Sequence, residues 1–146
     1  MQCPYCNSSE TKVTNKRDNA SVTRRRRECL KCSKRFTTYE RVELDLSVIK
    51  KDGRRVKFNR DKLFEGIDNN LQKRPFTSEQ IDAIVGDIEA QIYRCAKDKD
   101  ITSSKIGDIV MRKLKKVDKV AYIRFAAVYR DFADIEEFRE EIKKLK

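Results

Sequence analysis

The sequence contains no histidine and no tryptophan. The missing histidine removes the commonest general base and a frequent ligand of catalytic zinc, which lowers the expectation of an enzyme without excluding one. The chain also lacks an apolar run of about 18 residues, so we expect no membrane-spanning helix. Met1 is followed at once by Gln2 and Cys3, which leaves no room for a secretory signal peptide. We therefore expect a cytoplasmic protein with no membrane partner.

The composition is basic and rich in charge. Lysine and arginine number 35 against 24 aspartates and glutamates, which gives a net charge of +11. This balance favours a polyanionic partner such as DNA, RNA or nucleotides. Charged residues make up 40% of the chain and hydrophobic residues 38%, which is lean for one large core and indicates two small modules.

Two CxxC pairs bracket the first part of the chain. Cys3 and Cys6 form the first pair, Cys29 and Cys32 the second, and 22 residues separate the pairs. Each pair forms a tight turn that aims two sulfurs at one point, so together they predict a closed tetrahedral Cys₄ site for structural zinc. The alternatives are two disulfides, which need an oxidising compartment, or a redox CxxC, which has no use for a second pair.

The residues around these cysteines predict a small antiparallel zinc ribbon as a first domain, residues 1–46. Val13 and Val22-Thr23 favour strands, and Asp18-Asn19 favours a turn between them. A module of this size buries too little apolar surface to fold alone, so the metal must supply much of its folding free energy. Residues 44–47 are expected to be a short linker.

The ribbon concentrates basic residues on its predicted strands. In an extended strand, alternate side chains point to opposite faces, so two arginines of the run 24–27 face one side and two the other. Arginine's planar fork suits phosphates and the guanine edge, and we predict a nucleic-acid surface rather than a merely solvated face. The candidate residues are Lys16, Arg17, Arg24, Arg25, Arg26, Arg27 and Arg35.

The second domain, residues 47–146, is predicted to be a β-hairpin followed by four or five helices, which makes the chain an α+β protein. Asp52-Gly53 between strand-like runs indicates a hairpin with a type I′ turn. Helix caps are predicted at Asn59, at Thr77 or Ser78, at Ser103 or Ser104, and at Asp118.

Apolar spacing predicts which helix faces are buried. The helix from Asp118 to about Phe132 is apolar nearly all round, so it is expected to be mostly buried. Cys95 falls on an apolar stripe and reads as a small core residue rather than a reactive thiol. The charged helix at about 135–145 is expected to be partly exposed or used in self-association.

A basic hairpin beside a helix N-terminus is a candidate anion site. Lys50 and Lys51 of the hairpin, with Lys62 in the first helical turn, are placed to converge on a triphosphate. The alternative is that these lysines are solvated and bind nothing.

Several stretches resemble the NrdR family, bacterial repressors of ribonucleotide reductase genes. They are CPYC at 3–6, RRRREC at 24–29, CSKRFTTYERVE at 32–43, VIKKDGRRVKFNRDKL at 48–63 and IGDIVMRKLKKVDKVAYIRFAAVYRDF at 106–132. The resemblance spans about residues 1–140 and joins two independent motif sets in one order. The second domain resembles the ATP-cone, a nucleotide-sensing module.

The resemblance implies a zinc ribbon that binds double-stranded operator DNA and an ATP-cone that binds ATP and dATP, with Mg²⁺. Nucleotide would change the homo-oligomeric assembly and thereby the affinity for DNA. The motif match places nucleotide contacts at Val48, Ile49, Lys50, Lys51, Lys62, Tyr122 and Tyr129. For both tyrosines, core packing in an apolar helix is the alternative.

The chain departs from the family pattern in two places. Asn15-Lys16-Arg17 stands where the family usually reads Asp-Ser-Arg, and Ala127 replaces a serine. Two other functions stay open from the residues: a nucleoside triphosphate hydrolase, although no Walker A pattern is present, and an RNA-binding zinc ribbon protein.

Overall fold

The computed structural model describes residues 1–18 and 22–145. The chain divides into two compact units, Met1–Glu43 and Leu44–Lys146. In the described part of the chain, no helix is long and apolar enough to cross a membrane.

The first unit is a three-stranded antiparallel sheet in the order β1-β2-β3, which confirms the predicted ribbon. Its strands are β1 (Thr11–Asp18), β2 (Val22–Cys29) and β3 (Arg35–Arg41). A bulge between Val13 and Asn15 shifts the β1–β2 register by one residue. The predicted turn at Asp18-Asn19 extends into residues outside those described.

The ribbon has almost no apolar core. Among its described residues, the buried apolar side chains are Cys3, Val22 and Cys29. Two of these three are candidate metal ligands. Hydrophobic burial is therefore too small to hold the sheet, and the metal has to contribute folding free energy.

Over its described residues, 44–145, the second unit pairs a small sheet with five helices, which confirms the α+β class. Its elements are β4 (Ser47–Ile49), β5 (Arg55–Lys57), α1 (Arg60–Leu71), α2 (Ser78–Cys95), β6 (Asp100–Thr102), α3 (Ser103–Val117), α4 (Lys119–Tyr129) and α5 (Ile135–Lys143). The Asn59 side chain caps α1, and Thr77 forms a capping box with Gln80 at α2. Thr102, rather than the predicted Ser103 or Ser104, caps α3. Asp118 accepts a hydrogen bond from the Ala121 N–H at the start of α4, as predicted.

The sheet contains a third strand that the sequence did not predict. Its order is β5-β4-β6, with β6 parallel to β4. Only three residues long, β6 carries one buried side chain, Ile101, and so offers no alternating pattern to detect. The predicted linker is also shorter than expected, because Leu46 is buried and Ser47 already belongs to β4.

The hairpin loop is not the predicted two-residue type I′ turn. The Lys50 N–H donates to the Arg54 carbonyl, so three residues, Lys51 to Gly53, form the loop. A type I′ turn needs positive φ at both central residues, whereas Gly53 has φ +84° and Asp52 is not in the left-handed region. The Asp52 carboxylate accepts from the Arg54 N–H at 3.0 Å and fixes the loop.

The core of the second unit gathers buried side chains from α1 to α4 and the sheet. Two burial predictions were wrong. Cys95, the last residue of α2, is exposed because its helix leaves the core there. Helix α4 ends at Tyr129 rather than near Phe132, and it is not mostly buried, since Val128 is 84% exposed.

Candidate metal centre, basic face and nucleotide cavity

The two cysteine pairs form matching turns. In each, the first cysteine's N–H donates to the carbonyl five residues on, at 2.8 Å for Cys3 and 3.0 Å for Cys29. Asn7 and Ser33 then adopt φ of 57° and return their N–H groups to the carbonyls of Cys3 and Cys29. The two CxxC turns therefore have the same backbone geometry, and each orients its two sulfurs toward one point.

The four sulfurs converge on one point. The Sγ atoms of Cys3, Cys6, Cys29 and Cys32 all lie within 4.8 Å of one another. The Cys3–Cys32 sulfurs are 3.7 Å apart and the Cys6–Cys29 sulfurs 3.6 Å. A tetrahedron of Zn–S bonds of about 2.3 Å requires sulfur–sulfur distances of about 3.8 Å. The set therefore fits zinc, and these spacings are far too long for disulfide bonds.

Charge repulsion among the sulfurs explains why a cation is needed. The Cys32 N–H favours the Cys29 thiolate and, against burial, lowers the pKa of Cys29 to about 7. The Ser8 N–H also favours the Cys6 thiolate, but burial and the neighbouring sulfurs outweigh it and raise the pKa of Cys6 to about 12. Four thiolates in one place are stable only with a divalent cation between them.

One face of the ribbon, which we call the arginine face, carries most of its positive charge. Directly paired residues share a face, and the register pairs Arg17 with Arg24, and Glu28 with Arg35. Strand alternation adds Arg26 to the same face. Its charged residues in the described strands are Lys12, Arg17, Arg24, Arg26, Arg35 and Arg41, against Glu28.

The cations of the arginine face differ in whether a described carboxylate binds them. Glu28 binds both Lys12 and Arg35, at 3.0 and 2.8 Å, and these cations lower the pKa of Glu28. Arg17 and Arg26 are exposed, and neither forms an ion pair with another described residue. Tyr39 lies on the same face, opposite Arg24, and is 51% exposed.

The opposite face, the paired face, has its charges satisfied within the sheet. Arg25 forms an ion pair with Glu40 at 2.6 Å, and Arg27 Nε donates to the Thr38 hydroxyl at 3.2 Å. Lys16 bridges to Asp18 at 2.9 Å. The seven predicted basic residues therefore divide into four on the arginine face and three on this one.

A cavity of about 860 Å³ opens in the second unit, among the hairpin, α1, α3 and α4. Its lining residues are Val48, Lys50, Lys51, Asp52, Arg54, Val56, Lys57, Phe58, Asn59, Lys62, Leu63, Gly66, Ile67, Ser103, Ile106, Gly107, Val110, Phe125 and Tyr129. Its volume lies within the range of small-molecule sites, about 300–1,000 Å³.

One side of the cavity, the basic wall, is formed by the hairpin and the start of α1. Its cations are Lys50, Lys51, Arg54, Lys57 and Lys62. Asp52 supplies the one carboxylate among the lining residues, and it is held by Arg54 at 2.7 Å. An excess of positive charge beside the N-terminus of α1 suits a polyphosphate.

The other side, the aromatic wall, is formed by α3 and α4. The rings of Phe125 and Tyr129 stack with centroids 5.5 Å apart and planes at 24°. The Tyr129 hydroxyl donates to the Ser104 carbonyl at 2.7 Å, and burial, with the nearby Asp108 charge, raises the pKa of Tyr129. A flat aromatic surface of this kind suits a nucleobase.

The structure brings five of the seven candidate nucleotide residues together: Val48, Lys50, Lys51, Lys62 and Tyr129. Ile49 does not line the cavity. Tyr122 is also outside it, only 4% exposed, and its hydroxyl donates to Glu141. Burial and the Glu141 charge raise the pKa of Tyr122 to about 12, so its surroundings favour core packing, the alternative left open from the sequence.

Several residues that line the cavity were not predicted from the sequence. Arg54 and Lys57 were visible as basic hairpin residues, and strand alternation alone could not say which side of the hairpin they would line. Gly107 and Phe125 lie within helices whose spacing indicated only a core. Their part in the cavity depends on how α3 and α4 pack, which no local pattern reveals.

Comparison with known proteins matches both units. The ATP cone domain model matches residues 46–135, and the model "Transcriptional repressor NrdR-like, N-terminal domain" matches residues 1–40. Relatives named "Transcriptional repressor NrdR" are 52% identical in Acetivibrio thermocellus, 51% in Caldicellulosiruptor saccharolyticus and 48% in Finegoldia magna. Each alignment covers 99% of this chain and at least 96% of the relative. The chain therefore belongs to the NrdR family of transcriptional repressors, with a zinc ribbon and a nucleotide-binding ATP-cone.

Proposed function

We propose that this chain is a cytoplasmic, zinc-dependent repressor that binds double-stranded operator DNA upstream of ribonucleotide reductase genes. ATP and dATP bind the second unit and set the homo-oligomeric state, which in turn sets the affinity for DNA. The observation that supports the proposal is the presence, in one chain, of a four-cysteine cluster on a ribbon with an arginine face and of a cavity with a basic wall and an aromatic wall.

The arginine face supplies the DNA contacts. Exposed Arg17 and Arg26 share a face with half-buried Arg24: Arg17 lies opposite it on β1, and Arg26 lies two residues along β2. The guanidinium groups of Arg17 and Arg26 are available for phosphate oxygens or guanine edges. Arg25, Arg27 and Lys16 contribute chiefly to sheet stability, because their partners lie within the ribbon.

The cavity holds the nucleotide in one orientation. Triphosphate oxygens meet Lys50, Lys51 and Lys62 of the basic wall, and the base lies toward Tyr129 of the aromatic wall. Magnesium would be held mainly by phosphate oxygens and water. Because the lining offers a single carboxylate, already bound to Arg54, the site supports binding rather than hydrolysis.

Assembly links the two units. One ribbon makes few contacts and binds a single short site weakly. Two ribbons held in one assembly bind DNA more tightly, because once the first is bound the second is at a high effective concentration near its own site. A nucleotide that changes the assembly thereby switches DNA affinity without touching DNA. The coupling is reciprocal, so operator DNA changes the preference between ATP and dATP by the same factor.

The test is operator binding by zinc-loaded protein without nucleotide, with ATP and with dATP, at fixed salt. Operator affinity should differ between ATP and dATP. In the Lys62→Ala variant, either nucleotide should change operator affinity less than it does in the wild type. Binding to a structured RNA at the same salt distinguishes a DNA-binding repressor from an RNA-binding ribbon. Measuring phosphate released from ATP distinguishes a nucleotide-binding protein from a hydrolase. Equal operator affinity under all three conditions contradicts the proposal.

A further inference from the structure

Gly107, a buried residue of α3, lies directly against the Tyr129 ring. A Cβ atom added at Gly107 would overlap the ring carbons and hydroxyl of Tyr129. At Gly66, another helical glycine, an added Cβ meets nothing within 4 Å. The close approach at position 107 is therefore not a general property of helical glycines in this chain.

Backbone conformation does not explain this glycine. Gly107 sits inside α3 with helical geometry, and Gly53 is the described glycine with positive φ. Glycine weakens a helix interior relative to alanine, so its presence at position 107 needs another cause. The space that it leaves for the Tyr129 ring is such a cause.

We propose that Gly107 is the positioning residue of the nucleobase site. It lets Tyr129 lie flush against α3, where Phe125 stacks on the ring and the Ser104 carbonyl accepts its hydroxyl. The ring then forms a fixed flat wall for the base. This inference rests on the proposed function, because it assigns the base end of the same nucleotide cavity.

The division of the cavity into two walls makes the proposal specific. A side chain at position 107 displaces Tyr129 and damages the aromatic wall, while Lys50, Lys51 and Lys62 stay in place. ATP and dATP should lose affinity by the same factor, since they share one base. Inorganic tripolyphosphate, which has no base, should bind as before.

The experiment compares wild type, Gly107→Ala, Tyr129→Ala and the double variant as full-length, zinc-loaded proteins. Calorimetric titration measures ATP and dATP, and competition measures tripolyphosphate. Gly107→Ala and Tyr129→Ala should each weaken ATP binding about tenfold or more, the scale of one lost base–aromatic stack. In the Tyr129→Ala background, Gly107→Ala should change the affinity by no more than about twofold, because the overlap is gone.

Loss of ATP affinity by equal factors in both backgrounds would overturn the proposal, as would an equal loss of tripolyphosphate binding. If the Gly107→Ala single variant does not fold, the double variant decides. A folded double variant with the ATP affinity of Tyr129→Ala supports the proposal, whereas an unfolded double variant contradicts it.

The same titrations separate this inference from the proposed function. If wild type binds ATP and Lys62→Ala weakens it while Tyr129→Ala does not, only the positioning role fails. If wild type binds neither ATP nor dATP, the proposed function fails with it.

Discussion

Replacing Arg26 by alanine tests whether the arginine face reads DNA. Arg26 is exposed on the central strand, opposite Asn15 and Thr37, and has no ion-pair partner among the described residues. Each phosphate contact contributes about 0.9 to the slope of log affinity against log salt, or about eightfold in affinity between 1 M and 0.1 M salt. Losing one contact should reduce the slope by about 0.9, or about 1.8 if two ribbons bind one operator.

The matched control is Arg25→Ala, which removes the same charge from the neighbouring position on the paired face. Arg25 is bound to Glu40, so its removal should change the slope by less than half as much. Fluorescence anisotropy of a labelled operator duplex across a salt series measures both slopes. Equal slope changes for the two variants would show that the ribbon's overall charge, rather than this face, governs binding.

Three further changes test the zinc centre, the basic wall and the place of Tyr122. Cys29→Ser should remove bound zinc, unfold the ribbon and abolish operator binding while leaving ATP affinity largely intact; operator binding that survives contradicts a structural zinc. Lys62→Ala should weaken ATP binding without loss of zinc, and an unchanged affinity in calorimetric titration refutes the phosphate assignment. Tyr122→Phe removes a donor from buried Glu141 and should lower the free energy of unfolding by about 1–3 kcal/mol. ATP affinity should not change in that variant, and a loss without destabilisation would place Tyr122 in the nucleotide site instead.

Local signals were enough to predict most of the fold. The spacing of the cysteine pairs indicated a four-sulfur cluster, and the structure brings Cys3, Cys6, Cys29 and Cys32 together. Side-chain caps indicated the starts of α1, α2 and α4, because a cap is a contact between residues two or three apart. The start of α3 was predicted at Ser103 or Ser104, whereas Thr102 caps it.

Features that depend on distant contacts were not predictable. Strand β6 gains its identity only by pairing with β4, about fifty residues earlier in the chain. The apolar sequence of α4 indicated burial all round, yet Val128 remains exposed because the described chain places no element over it. Cys95 matched a helical stripe, but the stripe leaves the core before the helix ends.

In the candidate site, too, local features were predictable from the sequence and features that depend on distant contacts were not. The alternation of Arg24 to Arg27 followed from strand geometry, whereas the register with β3 decided which arginines are bound by Glu40 and Thr38. Lys50, Lys51 and Lys62 were identified by charge and position. The aromatic wall was only half visible, because the sequence pointed to Tyr129 but not to Phe125 or Gly107.

The central claim is that the nucleotide bound to the second unit sets the assembly of the whole chain. The most direct measurement is the mass in solution of zinc-loaded protein without nucleotide, with ATP and with dATP, each sample then tested for operator binding. ATP and dATP should give different masses, and operator affinity should follow the mass. One mass and one operator affinity under all three conditions would contradict the claim.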